Sequence, residues 1–369
     1  MSFNRDAAFA RTLALAEQAI GLSDPNPRVG CLLLSADGHP IGEGHTQRAG
    51  EAHAEIMALR AGRAAGHDPR GATAIVSLEP CSHHGRTPPC CDALIEAGVA
   101  RVLIATRDPN PQVAGRGIER LRAAGIEVEL MEGAWGAAAR ELNIGFFHRM
   151  LHGRPWVRMK IAASLDGRTA LANGTSQWIT GAAARTDGHA WRRRAGAVLS
   201  GIGTVRDDDP RLDVRLVPST LQPLRVVVDS RLELSPTARL LAPPGRVLAA
   251  CATEPTASAG VTLLERGVEI VHLPGPGNKV DLARLIGHLA TQEQINELHI
   301  EAGHKLNGSL LRAGLVDELL IYLAPTLIGF GREMASFGPL DSLAEALTFE
   351  FGAVEHIGSD LRILARRRQ

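Results

Sequence analysis

The chain is short of the features that would commit it to several common roles. Aromatic residues make up 4% of it, with a single tyrosine, so no platform for stacking nucleic-acid bases is suggested. Lysine plus arginine and aspartate plus glutamate both number 40, and the formal net charge is zero. That argues against nucleic-acid binding by bulk charge and leaves room for one small basic pocket. There is no apolar run of about 18 residues and no charged-then-apolar leader, so a soluble, cytoplasmic protein without a membrane partner is expected. The five cysteines, Cys31, Cys81, Cys90, Cys91 and Cys251, are too few and too unevenly placed for a disulfide framework. Metal binding is the better account of at least two of them.

What is present is an ordinary globular composition, 45% apolar and 22% charged, over 369 residues. That length fits two domains of roughly 150 to 200 residues each. The informative stretch is His53-Ala54-Glu55, followed by Pro80-Cys81 and Pro89-Cys90. One histidine and two cysteines are ordinary zinc ligands, and three protein ligands with a fourth position open is the catalytic pattern. Zinc lowers the pKa of a bound water toward neutrality. Glu55, two residues past the histidine, is not needed as a ligand and is free to move protons. Zinc deaminases combine a His-x-Glu segment with a Pro-Cys segment and a second cysteine. Here eight residues, Ser82 to Pro89, separate the cysteines instead of the usual two. Three other readings stay open on these residues alone: a helix-end histidine beside unrelated core cysteines, a zinc ion that only holds the fold, and a nucleic-acid base deaminase with an unrelated appended domain.

Periodicity places the motif. Phe9, Leu13, Ala16 and Ile20 mark an amphipathic helix over 5–20. Val29 to Leu34 is a strand closed by the Asp37-Gly38 turn, and a second strand runs near Ile41. A helix starts at His53, a strand covers Thr73 to Leu78, and a helix covers Cys90 to Ala97. Strand, helix and strand follow at Arg101 to Ala105, Gly115 to Ala124 and Ile126 to Leu130. His53 and Cys90 thus fall near helix N-termini, whose positive ends favour thiolate. One helix is expected over Trp135 to Met150, with a boundary at Gly153-Arg154-Pro155. Beyond it, strands at Val157–Ala162, Ala197–Ser200, Leu224–Asp229, Arg246–Ala250, Leu298–Glu301 and Leu319–Leu323 alternate with helices at Ala182–Arg193, Asp281–Ala290 and Leu306–Ala313, a second α/β domain. Gly201-Ile202-Gly203-Thr204, and Glu301-Ala302-Gly303 leading to Asn307-Gly308-Ser309, are stretches where backbone could approach phosphates. Neither is a dinucleotide fingerprint.

The segments DPNPRVG (Asp24 to Gly30), QRAGEAHAE (Gln47 to Glu55), LEPCSHHGRTPPCCDALI (Leu78 to Ile95) and DPNPQVAGRG (Asp108 to Gly117) resemble the N-terminal half of the bifunctional riboflavin biosynthesis proteins, a pyrimidine deaminase fused to a reductase. KIAASLDGRTA (Lys160 to Ala170), SQWIT (Ser176 to Thr180), DDP (Asp208 to Pro210), VVVDS (Val226 to Ser230), IEAG (Ile300 to Gly303) and GLVDEL (Gly314 to Leu319) resemble the reductase half. The eight-residue gap is normal in that family. The resemblance implies an α/β protein in two parts: a cytidine-deaminase-like three-layer domain over 1–150 and a dihydrofolate-reductase-like domain over 151–369. It implies hydrolytic deamination of 2,5-diamino-6-ribosylamino-4(3H)-pyrimidinone 5′-phosphate with zinc. NADPH-dependent reduction of the ribosyl group of 5-amino-6-(5-phosphoribosylamino)uracil to ribityl then follows.

By the same resemblance His53, Cys81 and Cys90 hold zinc, Glu55 shuttles protons and Cys91 points elsewhere. Asn26, His83 and Arg86 are the candidates to meet the first substrate, since a cationic, donor-rich loop beside the metal suits a phosphorylated pyrimidine. Ala162, Thr169, Trp178, Thr204, Asp208, Ser230 and the run Gly303, His304, Lys305, Leu306, Asn307, Gly308, Ser309 line the dinucleotide. Ser176, Arg192, Leu212, Arg215 and Glu301 meet the second substrate, with the two arginines as phosphate clamps. Lys160 and Glu301 are the groups expected to assist hydride transfer. A homodimer is implied as well, with a small phosphorylated pyrimidine as substrate and no nucleic-acid partner. The sequence departs from the family at Thr46, where histidine is frequent, at Ala162, where glycine is frequent, and at His304-Lys305.

Overall fold

A computed structural model describes residues 4–83, 88–255 and 258–368. The chain forms two compact units, Met1–Gly153 and Arg154–Gln369. The first contains α1 (Arg5–Glu17), β1 (Gly30–Leu34), β2 (Pro40–His45), α2 (Ala54–Ala64), β3 (Thr73–Val76), α3 (Cys90–Glu96), β4 (Arg101–Ile104), α4 (Arg116–Ala123), β5 (Glu127–Leu130), α5 (Ala134–Leu142) and α6 (Ile144–His152).

Its sheet has the order β2-β1-β3-β4-β5. β1 runs antiparallel to both neighbours, and β3, β4 and β5 run parallel. Every residue of β1 is buried, because both faces are covered. Alternation then sorts the side chains into two cores. Cys31, Leu33, Ala74, Val76, Val102 and Ile104 pack with Ala58 of α2, Leu94 of α3 and Leu121 of α4. Leu32, Leu34, Ile75 and Leu103 pack with Phe9 of α1 and Ala139 of α5. The result is helix, sheet, helix: the expected three layers.

The helix expected over Trp135 to Met150 is instead two helices that break at Asn143. The buried Asn143 amide accepts from the Arg28 N–H (2.7 Å) and donates to the Arg28 carbonyl (2.9 Å), tying this break to the start of β1. Asparagine competes with helical backbone bonding in this way, but its partner lies 115 residues away and is invisible to periodicity.

The second unit contains β6 (Trp156–Ser164), β7 (Arg168–Leu171), α7 (Ala182–Arg194), β8 (Ala197–Gly201), α8 (Ile202–Asp208), β9 (Leu224–Val228), β10 (Val247–Cys251), α9 (Ser258–Glu265), β11 (Val268–His272), the short pair β12 (Pro274–Gly275) and β13 (Lys279–Val280), α10 (Leu282–Thr291), β14 (Glu297–Ile300), α11 (His304–Arg312), β15 (Glu318–Ala324), β16 (Gly331–Glu333), β17 (Phe349–Ile357) and β18 (Asp360–Arg367). Nine strands form one sheet, β11-β10-β9-β8-β14-β6-β15-β18-β17. It is parallel as far as β15, and β18 and β17 add an antiparallel hairpin.

The faces of this sheet differ in kind. Val157, Met159, Ile161, Leu298 and Ile300 enter an apolar core with Leu285 and Leu289 of α10 and Leu310 of α11. The alternate residues, Arg158 and Lys160 of β6 and Glu297 and His299 of β14, form a polar layer on the opposite face. Arg158 is buried between Glu297 (2.8 Å) and Glu318, and its guanidinium stacks on Trp191 of α7. Buried charges persist only when paired in this way.

Candidate active sites

In the first unit, β3 ends at Val76 and the chain enters the loop that carries Cys81. His53 is the N-cap of α2, with extended backbone, and Cys90 is the first residue of α3. The His53 Nδ1, Cys81 Sγ and Cys90 Sγ atoms lie within 4.8 Å of one another. His53 Nδ1 is 3.3 Å from Cys90 Sγ and 3.7 Å from Cys81 Sγ. The Cys90 backbone N–H donates to Cys81 Sγ (3.3 Å). Two thiol sulfurs and an imidazole nitrogen converging at this spacing suit zinc by size and softness. Hydrogen bonds from the Cys90 thiol and the ring of His53 hold the Cys81 thiol well below the ordinary thiol range. A thiolate is therefore ready at neutral pH, the form a metal requires. Glu55, in the first turn of α2, is 3% exposed. Burial, and next the charge on Cys81, raise its carboxyl above the ordinary range.

The surrounding residues divide clearly. The Cys91 thiol turns away to the carbonyls of Pro80 (3.3 Å) and Gly117 (3.6 Å). Thr46 is buried and spends its hydroxyl on the backbone of Val29, accepting from its N–H at 3.2 Å, so here this position braces the start of β1. Asn26 sits half-buried in the loop before β1, its backbone N–H bonded to the Ser23 carbonyl (2.9 Å). His83 is half-buried, and Arg86 lies outside the described residues. Sequence reasoning missed Arg120 of α4, which donates to the Ser82 carbonyl (3.2 Å) and pairs with Asp92 (2.7 Å), bracing the chain just after Cys81. No local pattern signals a partner 38 residues away.

In the second unit a cavity of about 680 Å³ opens at the β6 and β14 strand ends, a size usual for a ligand pocket. Its wall includes Lys160, Ala162, Thr169, Ser176, Trp178, Arg192, Thr204, Asp208, Leu212, Arg215, Glu301, Gly303, His304 and Asn307. Ser230, Lys305, Leu306, Gly308 and Ser309 are not part of that wall. The Ser230 hydroxyl accepts from the Val280 N–H (3.2 Å). Gly308 is a packing glycine, since a Cβ there would fall 1.9 Å from the Ser336 carbonyl oxygen. The Gly201–Thr204 stretch begins the short helix α8. Asn307 donates to the Met334 carbonyl (3.0 Å), while its buried Oδ1 has no protein partner and is available to a ligand donor.

The floor of the cavity is charged. Arg192 grips Glu301 with Nε on Oε1 and Nη2 on Oε2 (2.9 Å) and donates Nη1 to the Asp213 carbonyl (2.8 Å). Arg215 pairs with the buried Asp213 carboxylate (2.5 Å), as does Arg211 (2.9 Å), a residue that sequence reasoning passed over. Burial pushes the Glu301 carboxyl up, but Arg192, His299 and Lys160 outweigh it and hold the group well below the ordinary range. Burial lowers the Lys160 ammonium, with Glu301 opposing and Arg192 assisting. His189 of α7, also missed, accepts the Arg215 N–H at Nδ1 (3.1 Å), and burial and then Arg192 and Arg215 hold it down to about 4. It stays a neutral acceptor that shapes the Arg215 loop. Ser176 donates to Asp208 (3.0 Å), and Trp178, 67% exposed, is covered on one face by Arg185.

Comparison with known proteins fits both sites. The family model "RibD C-terminal domain" matches residues 155–363, and "Cytidine and deoxycytidylate deaminase zinc-binding region" matches residues 4–106. The chain is 46% identical over 365 residues to the riboflavin biosynthesis protein RibD of Escherichia coli, covering 95% of this chain and 96% of that protein. It is 40% identical over 358 residues to the Aquifex aeolicus RibD, covering 96% of each. Among solved structures, Acinetobacter baumannii RibD (form 1) superposes with a TM-score of 0.88 at 41% identity, covering 98% of each chain. A Thermotoga maritima diaminohydroxyphosphoribosylaminopyrimidine deaminase/5-amino-6-(5-phosphoribosylamino)uracil reductase gives 0.87 at 34%, also covering 98% of each. The two parts are a cytidine-deaminase-like domain and a RibD reductase domain of the dihydrofolate-reductase type. With relatives this similar over nearly their whole length, the chain belongs to the RibD family of riboflavin biosynthesis proteins.

Proposed function

We infer that this chain carries out both reactions of its family, zinc-dependent deamination of a phosphorylated ribosylaminopyrimidine and NADPH-dependent reduction of the resulting uracil's ribosyl group. The observation that carries the reading is the convergence of His53, Cys81 and Cys90 beside the buried Glu55, in one chain with the charged cavity at Lys160 and Glu301. We assign deamination to residues 1–150 and reduction to 151–369. The division into compact units at Gly153 and the placement of the two family matches support that assignment.

In the first unit His53, Cys81 and Cys90 would hold the metal, which supplies a water acidified toward neutrality. Glu55 would take one proton of that water and pass it to the ring, then carry the remaining hydroxyl proton to the departing amine. Net, a carbon–amine bond is exchanged for a carbonyl and ammonia leaves. The raised Glu55 carboxyl suits both directions of transfer. Asn26, His83 and Arg86 are the proposed contacts to this substrate.

In the second unit NADPH supplies hydride. The substrate's sugar ring must open at the C1′–O4′ bond, so O4′ gains a proton while C1′ gains the hydride. Glu301, held as a carboxylate, is no proton donor. Lys160, whose ammonium is made more acidic by burial, is the group we assign to give that proton. Arg192 and Arg215 are the proposed phosphate contacts, and Ser176, Leu212 and Glu301 the other proposed contacts to this substrate; all five line the cavity. Ala162, Thr169, Trp178, Thr204, Asp208, Gly303, His304 and Asn307 are the proposed cofactor wall. Ser230 and Lys305, Leu306, Gly308 and Ser309 would reach the dinucleotide only outside the cavity wall or through backbone groups.

A cytoplasmic homodimer completes the proposal. Supporting it are five free cysteines, the exposed apolar Phe330, Leu343 and Phe351 of the second unit, and the lack, among the described residues, of any helix long and apolar enough to cross a membrane. A paired assay on zinc-replete protein with the phosphorylated diaminopyrimidine tests the function. Ammonia release followed by NADPH oxidation is expected; neither signal from zinc-loaded protein contradicts it.

A further inference from the structure

The DPNPQVAGRG segment, Asp108 to Gly117, is used by neither reaction as described, yet it meets the metal loop through one side chain. Glu79, two residues before Cys81, is 3% exposed. Its Oε2 accepts the N–H groups of Asp108 (3.2 Å) and Gly115 (3.0 Å), and its Oε1 those of Gly117 (3.0 Å) and Ile118 (3.2 Å). Its own N–H donates to the Thr106 carbonyl (3.0 Å). All four acceptor positions of one buried carboxylate are thus filled by backbone from a separate segment. The next peptide is fixed as closely. A Cβ on Gly117 would lie 2.1 Å from the Pro80 carbonyl oxygen, and that oxygen also accepts from the Cys91 thiol (3.3 Å). The chain reaching Cys81 is therefore clamped by Glu79 on one side and by Gly117 and Cys91 on the other.

We propose that Glu79, cradled by residues 108–118 and closed over by Gly117, is a positioning residue that sets Cys81 for zinc. It touches neither substrate nor metal and acts through the peptide of Pro80. The inference rests on the zinc-ligand reading above. Outer groups that orient metal ligands typically change affinity by roughly 10–100-fold when removed.

The test is zinc affinity of the full-length protein, measured by competition with a chelating dye, with NADPH oxidation as an independent check on the second unit. Glu79→Gln keeps the shape but turns an NH₂ toward backbone donors, and affinity should fall at least tenfold. Saturating zinc should restore most ammonia release. Gly117→Ala leaves the Glu79 charge in place and displaces Pro80, and it should weaken zinc similarly. Should Glu79→Gln leave the first unit unfolded by circular dichroism, Glu79→Asp, one methylene shorter, replaces it with the same expected loss. Affinity within twofold of the unaltered protein in a folded variant overturns the proposal. So does weakening in Glu79→Gln alone with Gly117→Ala unaffected, which would make charge rather than position the cause. Cys81→Ala separates this from the underlying reading: if it retains stoichiometric zinc, the ligand assignment itself is wrong.

Discussion

Arg192 holds Glu301 by both carboxylate oxygens, and the pair forms the charged floor of the reductase cavity. Because that grip keeps Glu301 ionised, the pH dependence of reduction should come from Lys160 on the alkaline side. Its ammonium is lowered from 10.5, so the rate should fall as pH rises through a value below 10.5. Lys160→Met should cut kcat by roughly 10²–10⁴-fold, remove that alkaline limb and leave ammonia release intact. A Lys160→Met protein with normal kcat would assign the proton elsewhere.

The buried Arg158, shared between Glu297 and Glu318, predicts a stability effect separate from catalysis. Arg158→Met removes the partner the two carboxylates share, leaving Glu297 to Arg194 (2.8 Å) and Glu318 to Arg366 (2.9 Å), and should cost about 1.5–3 kcal/mol in denaturant unfolding of the second unit. The exposed Arg246, paired with Glu269 and Glu293, is the contrast. Arg246→Met should cost about 1 kcal/mol or less. Equal costs would mean that burial does not set the energetics here.

His189 should make the second unit acid-sensitive. Its ring is held down to about 4 in the fold, against 6.5 when unfolded. Between these values the unfolded chain binds more protons, so stability falls as pH drops from about 6.5 toward 4, by on the order of 3 kcal/mol at most. The charged groups facing the ring are Arg192, Arg215, Glu301 and Asp213. His189→Gln still offers an acceptor to the Arg215 N–H, and its stability profile over this window should be flatter. An unchanged acid slope would place the sensitivity on another group.

The His53, Cys81 and Cys90 cluster was legible in the sequence, because His53 and Cys90 sit at helix N-termini and Cys81 on a loop marked by Pro80, all signalled by local chemistry. Apolar runs such as Val29 to Leu34 and Val226 to Val228 located buried strands for the same reason. The losses were long-range. Asn143 breaks a continuous helical pattern for the sake of Arg28. Glu79 looks like a loop residue until Gly117 is seen against Pro80. The β17–β18 hairpin went unread because β17 is exposed along most of its length and lacks an apolar alternation. In the reductase unit, Ser230 and Gly308 have structural roles that their local sequence does not announce: one braces β13 and the other packs against Ser336. Glycine and serine have the same local signature in both roles.

Glu55 is proposed to move protons at a metal held by its neighbours, and Glu55→Gln measures that directly. Zinc content, ammonia release from the diaminopyrimidine, and NADPH oxidation with the deaminated uracil supplied should be read on one preparation. Full zinc, intact NADPH oxidation and ammonia release reduced by at least about 10²-fold are predicted. Ammonia release close to that of the unaltered protein, with zinc in place, would contradict the account.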